Sequence, residues 1–340
     1  MARKFDPDHG FYYSFLNADQ KACYDALLVN MRQFQQDFQM NPIAVNDYLV
    51  ANRAVLDDHP ELWWADTPAR YSYGFTGKVN RHTFLELKGN ELQLTQQMFK
   101  AVEDVLKEAQ KKKSEWDKAL LFHDAIVQST AFNTGADTDG LGDQNISSVL
   151  LGGNSVCAGY ARTFQLLCRS SGIECVYVPG VAVKNGQQVA HAWNFAFIEG
   201  EWTWIDCTWD DLIWQKGVES LEHDYFCLND TWISKNRAIP AYLETGNSKA
   251  RLKIRFPEAS SLKMEYHHVA GTYFAKYDPA AVGASAQQQA QKGSIRLRFG
   301  STAELKKACT DLVDRSNLTA SAQLRVSKDD DMCVLRIDRI

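Results

Sequence analysis

Cys157 stands in "GGNSVCAGYARTFQLLCRSSGI" (152–173), directly after a glycine-rich loop and at the start of a run with helical periodicity. A thiol attacks a carbonyl only as thiolate. That form is favoured at a helix N-terminus beside a base, where thiol pKa values fall to roughly 3.5–7.5. The spacing predicts a helix capped by Ser155 or Asn154, with Cys157 in its first turn. Tyr160, Phe164 and Leu167 then share its inward face, and Gly172 ends it. Gly152 and Gly153 let the preceding loop approach a substrate backbone, and the Cys157 amide is a candidate donor to an oxyanion.

A nucleophile needs a base, and the base needs an orienter. "HAWNFAFIEGEWTWIDCTWDD" (191–211) supplies both if Glu199-Gly200 is the two-residue turn of a hairpin. Ile198 then faces Glu201, so paired positions sum to 399, and His191 lies opposite Thr208 while Asp206 lies opposite Trp193. Asp206 and His191 become diagonal neighbours on one face, roughly 7–8 Å apart at Cα, within reach of a carboxylate–imidazole bond. The same register gathers Trp193, Phe195, Phe197, Trp202 and Trp204 on that face, an aromatic surface on which the Cys157 helix is expected to pack. Cys207 points to the opposite face and reads as structural, as does Cys168 deep in the helix.

The remaining composition narrows the function. The 340 residues are 45% hydrophobic and 23% charged, ordinary for a globular chain, with a formal net charge of -5. That balance leaves no electrostatic footprint for nucleic acid, and the basic run Lys111–Lys113 reads as a solvated helix end. No apolar stretch approaches the ~18 residues of a membrane helix. The N-terminus has no apolar leader core, so an intracellular protein or the mature form of a secreted one is expected. Eight scattered cysteines without CxxC spacing and without clustered histidines predict mostly buried thiols, no structural zinc site and no metal. In the polar loop 133–145, Asp137, Asp139 and Gly140 begin like a calcium loop, but Leu141 and Ser148 occupy the fifth and twelfth positions and break the ligand pattern.

Elements that must position the cysteine and histidine can be read coarsely. Helices are expected over 18–39, from the Asn41-Pro42 cap to about Leu56, and over 95–109 with Phe99, Val102, Leu106 and Ala109 on one face. A further helix follows the Ser114/Asp117 capping pattern. Strands are expected within 70–87 and over 174–183, 191–198 and 202–209, with "HDYFCLND" as another. Past Lys249, "RLKIRF" and "LKMEYHHVAGTYFAKY" read as strands and 279–293 as a helix or linker. "SIRLRF", "TAELKKACTDLVD", "AQLRV" and "CVLRI" then read as strand, helix, strand, strand, with a hairpin turn at Lys328–Asp331. The expected organisation is a mainly helical region over 1–110 with a short strand pair, a catalytic core over 111–245, and a small α+β domain over 246–340.

The three stretches around Cys157, His191 and "HDYFCLND", with "DHPELWW" upstream, resemble the transglutaminase-like superfamily of bacteria. The specific signature covers about residues 115–235, and the looser likeness starts near residue 11. The resemblance implies an α+β class with a papain-like core, in which a helix bearing the cysteine packs on an antiparallel sheet bearing histidine and aspartate. By similarity, Cys157 is the nucleophile, His191 the base and Asp206 the orienter. Trp193, Tyr160, Asn194 and Trp209 are substrate-contact candidates, while Tyr225 and Asp210 read as packing or capping residues beside the cleft. The resemblance implies cysteine-dependent acyl transfer on amides without a cofactor, first of all from a protein or peptide glutamine to a primary amine. The same triad would serve a cysteine peptidase or a glutamine deamidase, and the fold also has non-enzymatic binding members.

Overall fold

The computed structural model describes residues 8–75, 77–85, 87, 89–135, 143–184, 186–211, 221–291, 293–314 and 324–339. The region before the site begins with α1 (Ala18–Arg32), whose N-cap Asn17 and N3 residue Gln20 form a reciprocal capping box. Strand β1 (Asp37–Ile43) follows, then α2 (Val45–Asp58). Asn41-Pro42 therefore does not open a helix. Pro42 lies where the ladder of β1 with β3 (Val79–Phe84) slips between Gln39 and Ile43, on the edge strand of a sheet ordered β1-β3-β2, with β2 at Ala69–Tyr73. A residue without an N–H is tolerated at such an irregular edge. Helix α1 correspondingly stops at Arg32, short of the expected 39.

Two helices support the site from outside. In α3 (Glu91–Ala109) Met98, Val102 and Ala109 are buried, whereas Phe99 is exposed, so the buried face is turned by one residue from the expected stripe. In α4 (Glu115–Ser129) the Ser114 hydroxyl accepts the Asp117 amide, as the capping pattern predicted. The Glu199 carboxylate also receives the Glu115 amide at 2.7 Å, which sets a negative group at the start of α4 and ties it to the hairpin turn of the site sheet. The short parallel pair β4 (Ala131–Phe132) and β5 (Asn154–Ser155) then leads to α5 (Cys157–Ser170).

The site sheet is antiparallel, ordered β8-β7-β6-β9, with β6 at Glu174–Lys184, β7 at Gln187–Ile198, β8 at Glu201–Ile205 and β9 at Arg237–Ala238. Its β7–β8 ladder runs from Ile198↔Glu201 to Asn194↔Ile205, so paired positions do sum to 399. Glu199 and Gly200 both have positive φ, 52° and 82°, the backbone a tight two-residue turn requires. The strand ends at Ile205, however, and Cys207–Asp210 form a short helical turn, α6, in place of the expected strand.

Alternation sorts the side chains of β6 and β7 into two cores. Val176, Val178, Trp193, Phe195, Trp202 and Trp204 enter one that also holds Phe11, Tyr12 and α2 side chains. Ala196, Ile198, Ile205 and Cys207 enter the other, with Phe164, Leu167 and Cys168 of α5. The aromatic face is thus covered by the N-terminal region and by Phe256, whose ring lies 5.3 Å from Phe195 and 4.8 Å from Phe11. Helix α5 packs on the small-residue face, against Ala192, Asn194 and Ala196, which is the reverse of the sequence expectation. The physical reason is closeness of approach: alanines let the helix backbone come near enough for the Asn194 amide to donate to Ala161 O at 2.8 Å.

Beyond the sheet come α7 (Asp230–Ile233), β9, the hairpin β10 (Tyr242–Glu244) and β11 (Arg251–Lys253), and α8 (Tyr266–Val269). "HDYFCLND" is not a strand but meets β8 through the single bridge Trp204↔Leu228, and α8 is a helical turn where a strand was expected. The C-terminal region holds β12 (Tyr273–Phe274), α9 (Pro279–Ala290), β13 (Ser294–Phe299), α10 (Thr302–Cys309), β14 (Leu324–Asp329) and β15 (Val334–Arg339). These strands form one sheet, ordered β12-β13-β15-β14, in the expected strand–helix–strand–strand sequence. Two arginines join it to the middle of the chain: half-buried Arg296 pairs with Glu222 at 2.6 Å, and buried Arg336 pairs with Asp224.

Candidate functional site

Helix α5 begins one residue later than a Ser155 cap would set it. Its N-cap is Val156, which offers no side-chain acceptor, and Cys157 is the first helical residue. The Ser155 hydroxyl is instead spent on Ser148 Oγ at 2.7 Å and Asp143 O at 2.9 Å. Cys157 is half-buried among Ala158, Ala161, Tyr177 and Ala192, and its amide has no upstream carbonyl within the helix. At the other end Ile173 N donates to Cys168 O and Gly172 N to Arg169 O, with Gly172 at φ 85°, the pattern of a left-handed helix stop.

The flank of α5 is fixed by charge. Arg162 donates to Leu56 O at 2.6 Å and to Asp57 at 3.0 Å, and Gln165 donates to Asp57 O at 3.0 Å. Asp57 also accepts Arg53, while Asp58 accepts the amides of Tyr12 and Tyr13. The "DDHPELWW" stretch is therefore a buried clamp that sets the depth of the Cys157 helix against α2.

His191 sits on β7 with its Nε2 2.7 Å from Asp206 Oδ2. The remaining ring nitrogen, Nδ1, is the one left for the Cys157 thiol, which acts on the imidazole alongside Asp206. Burial by itself would lower the pKa of His191, but the Asp206 carboxylate and then Cys157 raise it to about 9. Asp206 is buried, and burial by itself would raise its pKa; His191 and Arg237 hold it well below the usual carboxylate range. Its Oδ1 accepts the amides of Thr208 and Trp209 at 3.2 and 3.3 Å, so one carboxylate both caps α6 and anchors the imidazole. Thr208 does not pair with His191, because the ladder ends first; the cap keeps Asp206 near the diagonal position the register predicted.

Arg237 was not singled out by the sequence. From β9 its Nη2 and Nε donate to Asp206 Oδ2 at 2.5 and 3.1 Å, and its guanidinium lies 3.6 Å over the Trp209 ring. Nothing local in "SKNRAIP" marks it, since its partner is 31 positions earlier. The β6–β9 pairing at Val181↔Ala238 and Ala182↔Arg237 alone carries it to the site.

The four substrate-contact candidates fare differently. Trp209 is half-buried, 5.8 Å from the His191 ring. Trp193 is fully buried beside His191, with its ring against Gly180. Tyr160 is fully buried, its hydroxyl at 2.6 Å from Asp211 and 3.1 Å from Thr130 O, and Asn194 is buried with its amide on Ala161 O and Val176 O. Trp193, Tyr160 and Asn194 are thus buried in the frame of the site, whereas Trp209 keeps part of its surface. Burial pushes up the thiols of Cys168, Cys207 and Cys227.

The expected absence of clustered histidines does not hold in space. His123 and His223, 100 positions apart, bring their rings within 5.2 Å across Asp124. The calcium-like positions Asp137, Asp139, Gly140 and Leu141 lie outside the described residues. Among the described residues no helix is long and apolar enough to cross a membrane.

Residues 100–207 match the family model of the transglutaminase-like superfamily, a span that holds Cys157, His191 and Asp206. The chain carries a transglutaminase-like core. Members of that superfamily are generally cysteine-dependent enzymes that act on protein substrates, and they include peptidase-like proteins. Over 61 residues, 16% of this chain, it is 41% identical to the kyphoscoliosis peptidase of Mus musculus and 39% identical to that of Homo sapiens. The match spans 9% of the length of those relatives. Among solved structures, a TGase aligns with TM-score 0.30 at 18% identity, covering 41% of this chain and 43% of its own. A protein from Cytophaga hutchinsonii assigned as a cysteine protease aligns with TM-score 0.29 at 18% identity, covering 42% and 62%.

Proposed function

We propose that this protein is a cysteine-dependent acyl-transfer enzyme acting on amides, with a protein or peptide glutamine as donor and a primary amine as acceptor. What supports it is that Asp206 holds His191 through Nε2 at 2.7 Å, which leaves Nδ1 for Cys157, the first residue of α5 and a group that acts on the imidazole. The Cys157 thiolate attacks the amide carbon, and the amide of Cys157 at the start of α5 donates to the oxyanion as it forms. His191, holding the thiol proton, passes it to the leaving amine, so the C–N bond breaks and a thioester remains. The acceptor amine then attacks the thioester, His191 removes its proton, and the thiol leaves protonated. Asp206, itself held by Arg237, stabilises the imidazolium and fixes the tautomer that presents Nδ1 to sulfur.

Peptide hydrolysis is the second reading, favoured by the name of the two curated relatives, and it uses the same triad with water as acceptor. Incubation with a glutamine-rich protein and a labelled primary amine separates the readings. Amine incorporation that disappears in Cys157→Ser supports transfer, and new α-amino termini point to peptidase action. An active Cys157→Ser variant would remove both.

A further inference from the structure

A second cluster of ligand-bearing side chains lies outside the triad. His123 of α4 is fully buried, and its Nδ1 is 3.0 Å from Asp124 Oδ1. The Nε2 of His223 approaches the same oxygen at 2.8 Å. One ligand atom from each of the three residues lies within 4.8 Å of the others. Three atoms that share an ion at ~2.0–2.2 Å stand roughly 3.3–3.5 Å apart. The two short pairs need only widen by a few tenths of an ångström and the third pair close.

We infer that His123 Nδ1, Asp124 and His223 Nε2 form a binding site for a divalent transition-metal ion of the zinc type, with Asp210 as the outer partner of His123. Two imidazoles and a carboxylate suit zinc and its neighbours rather than calcium or magnesium, which take oxygen ligands. The independent observation lies behind His123. Its Nε2 faces buried Asp210 at 3.1 Å, and a metal-bound imidazole characteristically gives its other N–H to a carboxylate, which fixes the ring and raises its donor strength. Asp210 is itself aligned by the Tyr225 amide at 3.0 Å. The His223 ring stacks on Tyr266 at 4.1 Å, which fixes its plane. The cluster is closed at fully buried His123 and reaches the surface at Asp124, whose side chain is 29% exposed.

The ion joins α4 to the segment that carries His223, and through Asp210 it braces the turn that begins at Asp206.

The test uses the full chain with Cys157→Ser, so that the triad thiol offers no competing site, after removal of metals with a chelator. Titration with zinc chloride by calorimetry, beside native mass spectrometry, is expected to give one zinc per chain. Asp210→Asn is expected to weaken binding by about 10–100-fold, the range for loss of an outer partner. His223→Ala, at the half-buried rim where folding is least at risk, should weaken it more. Absence of a stoichiometric zinc, or zinc binding unchanged in both His223→Ala and Asp124→Asn, would overturn the inference.

Discussion

His191 and His123 are near twins in surroundings. Each imidazole is buried, and each meets a buried aspartate through Nε2, at 2.7 Å for Asp206 and 3.1 Å for Asp210. Each is raised to about 9 against the effect of burial. They differ at the other nitrogen: a half-buried thiol faces His191, while a carboxylate shared with a second histidine faces His123. A buried His–Asp pair is therefore not by itself a catalytic signature. The group on the far side of the ring decides whether the pair serves a nucleophile or holds a cation. The supports differ as well, since Asp206 has Arg237 as a second partner whereas Asp210 leans on a backbone amide.

The largest expected effect sharpens the comparison at its point of difference. Cys157→Ser should lower amide acyl transfer by about 10⁴-fold or more, as for loss of a nucleophile in an established triad, in a transfer assay with folding checked by circular dichroism. Next, His123→Ala should cost about 3–5 kcal/mol in urea unfolding, because it strands a buried carboxylate. His191→Ala should cost less, since Asp206 keeps its guanidinium partner. The reverse order would break the comparison of supports.

The shared feature predicts a shared pH dependence. Both folded values, about 9, lie above the ordinary imidazole value of 6.5, so each histidine contributes stability that is fully present below pH 6.5 and is lost as pH rises through about 9. The loss is at most about 3 kcal/mol per histidine, seen as a falling urea midpoint in metal-free buffer. His191→Gln and His123→Gln should each remove part of it. Asp206 is shifted the other way; its contribution is present above the unfolded carboxylate range and is lost at strongly acid pH.

Smaller effects probe the frame. Arg237→Met removes charged donors to Asp206 and should slow transfer by roughly 10–100-fold, in line with ~1.5–3 kcal/mol for a charge-assisted bond. Gly180→Ala sets a methyl 2.5 Å from the Trp193 ring beside His191, and should destabilise by about 1–3 kcal/mol through overpacking. A neutral Gly180→Ala would show that the Trp193 ring has room to move.

What the sequence disclosed follows from how local each signal is. The hairpin turn at Glu199-Gly200 fixes the register, and the register sets Asp206 beside His191 even though the strand ends before Thr208. Alternation marked Trp193 and Phe195 as one face, but a periodic pattern says that a face is covered, not by what; Phe11 and Phe256 cover it, and α5 takes the alanine face. Arg237 reaches the triad across a strand pairing that leaves no local trace. His123 and His223 are distant in sequence and meet only because α4 packs beside the segment that follows α6. Asn41-Pro42 carried a helix-opening signal that an irregular edge strand can equally accommodate.

The central claim is that His191 activates Cys157. The most direct measurement is the rate of iodoacetamide alkylation at Cys157, followed by mass spectrometry at pH 6, in the native chain and in His191→Ala. The account predicts alkylation faster than that of free cysteine, falling toward the free-cysteine rate in His191→Ala. Alkylation of native Cys157 no faster than free cysteine, or unchanged by loss of His191, would contradict it.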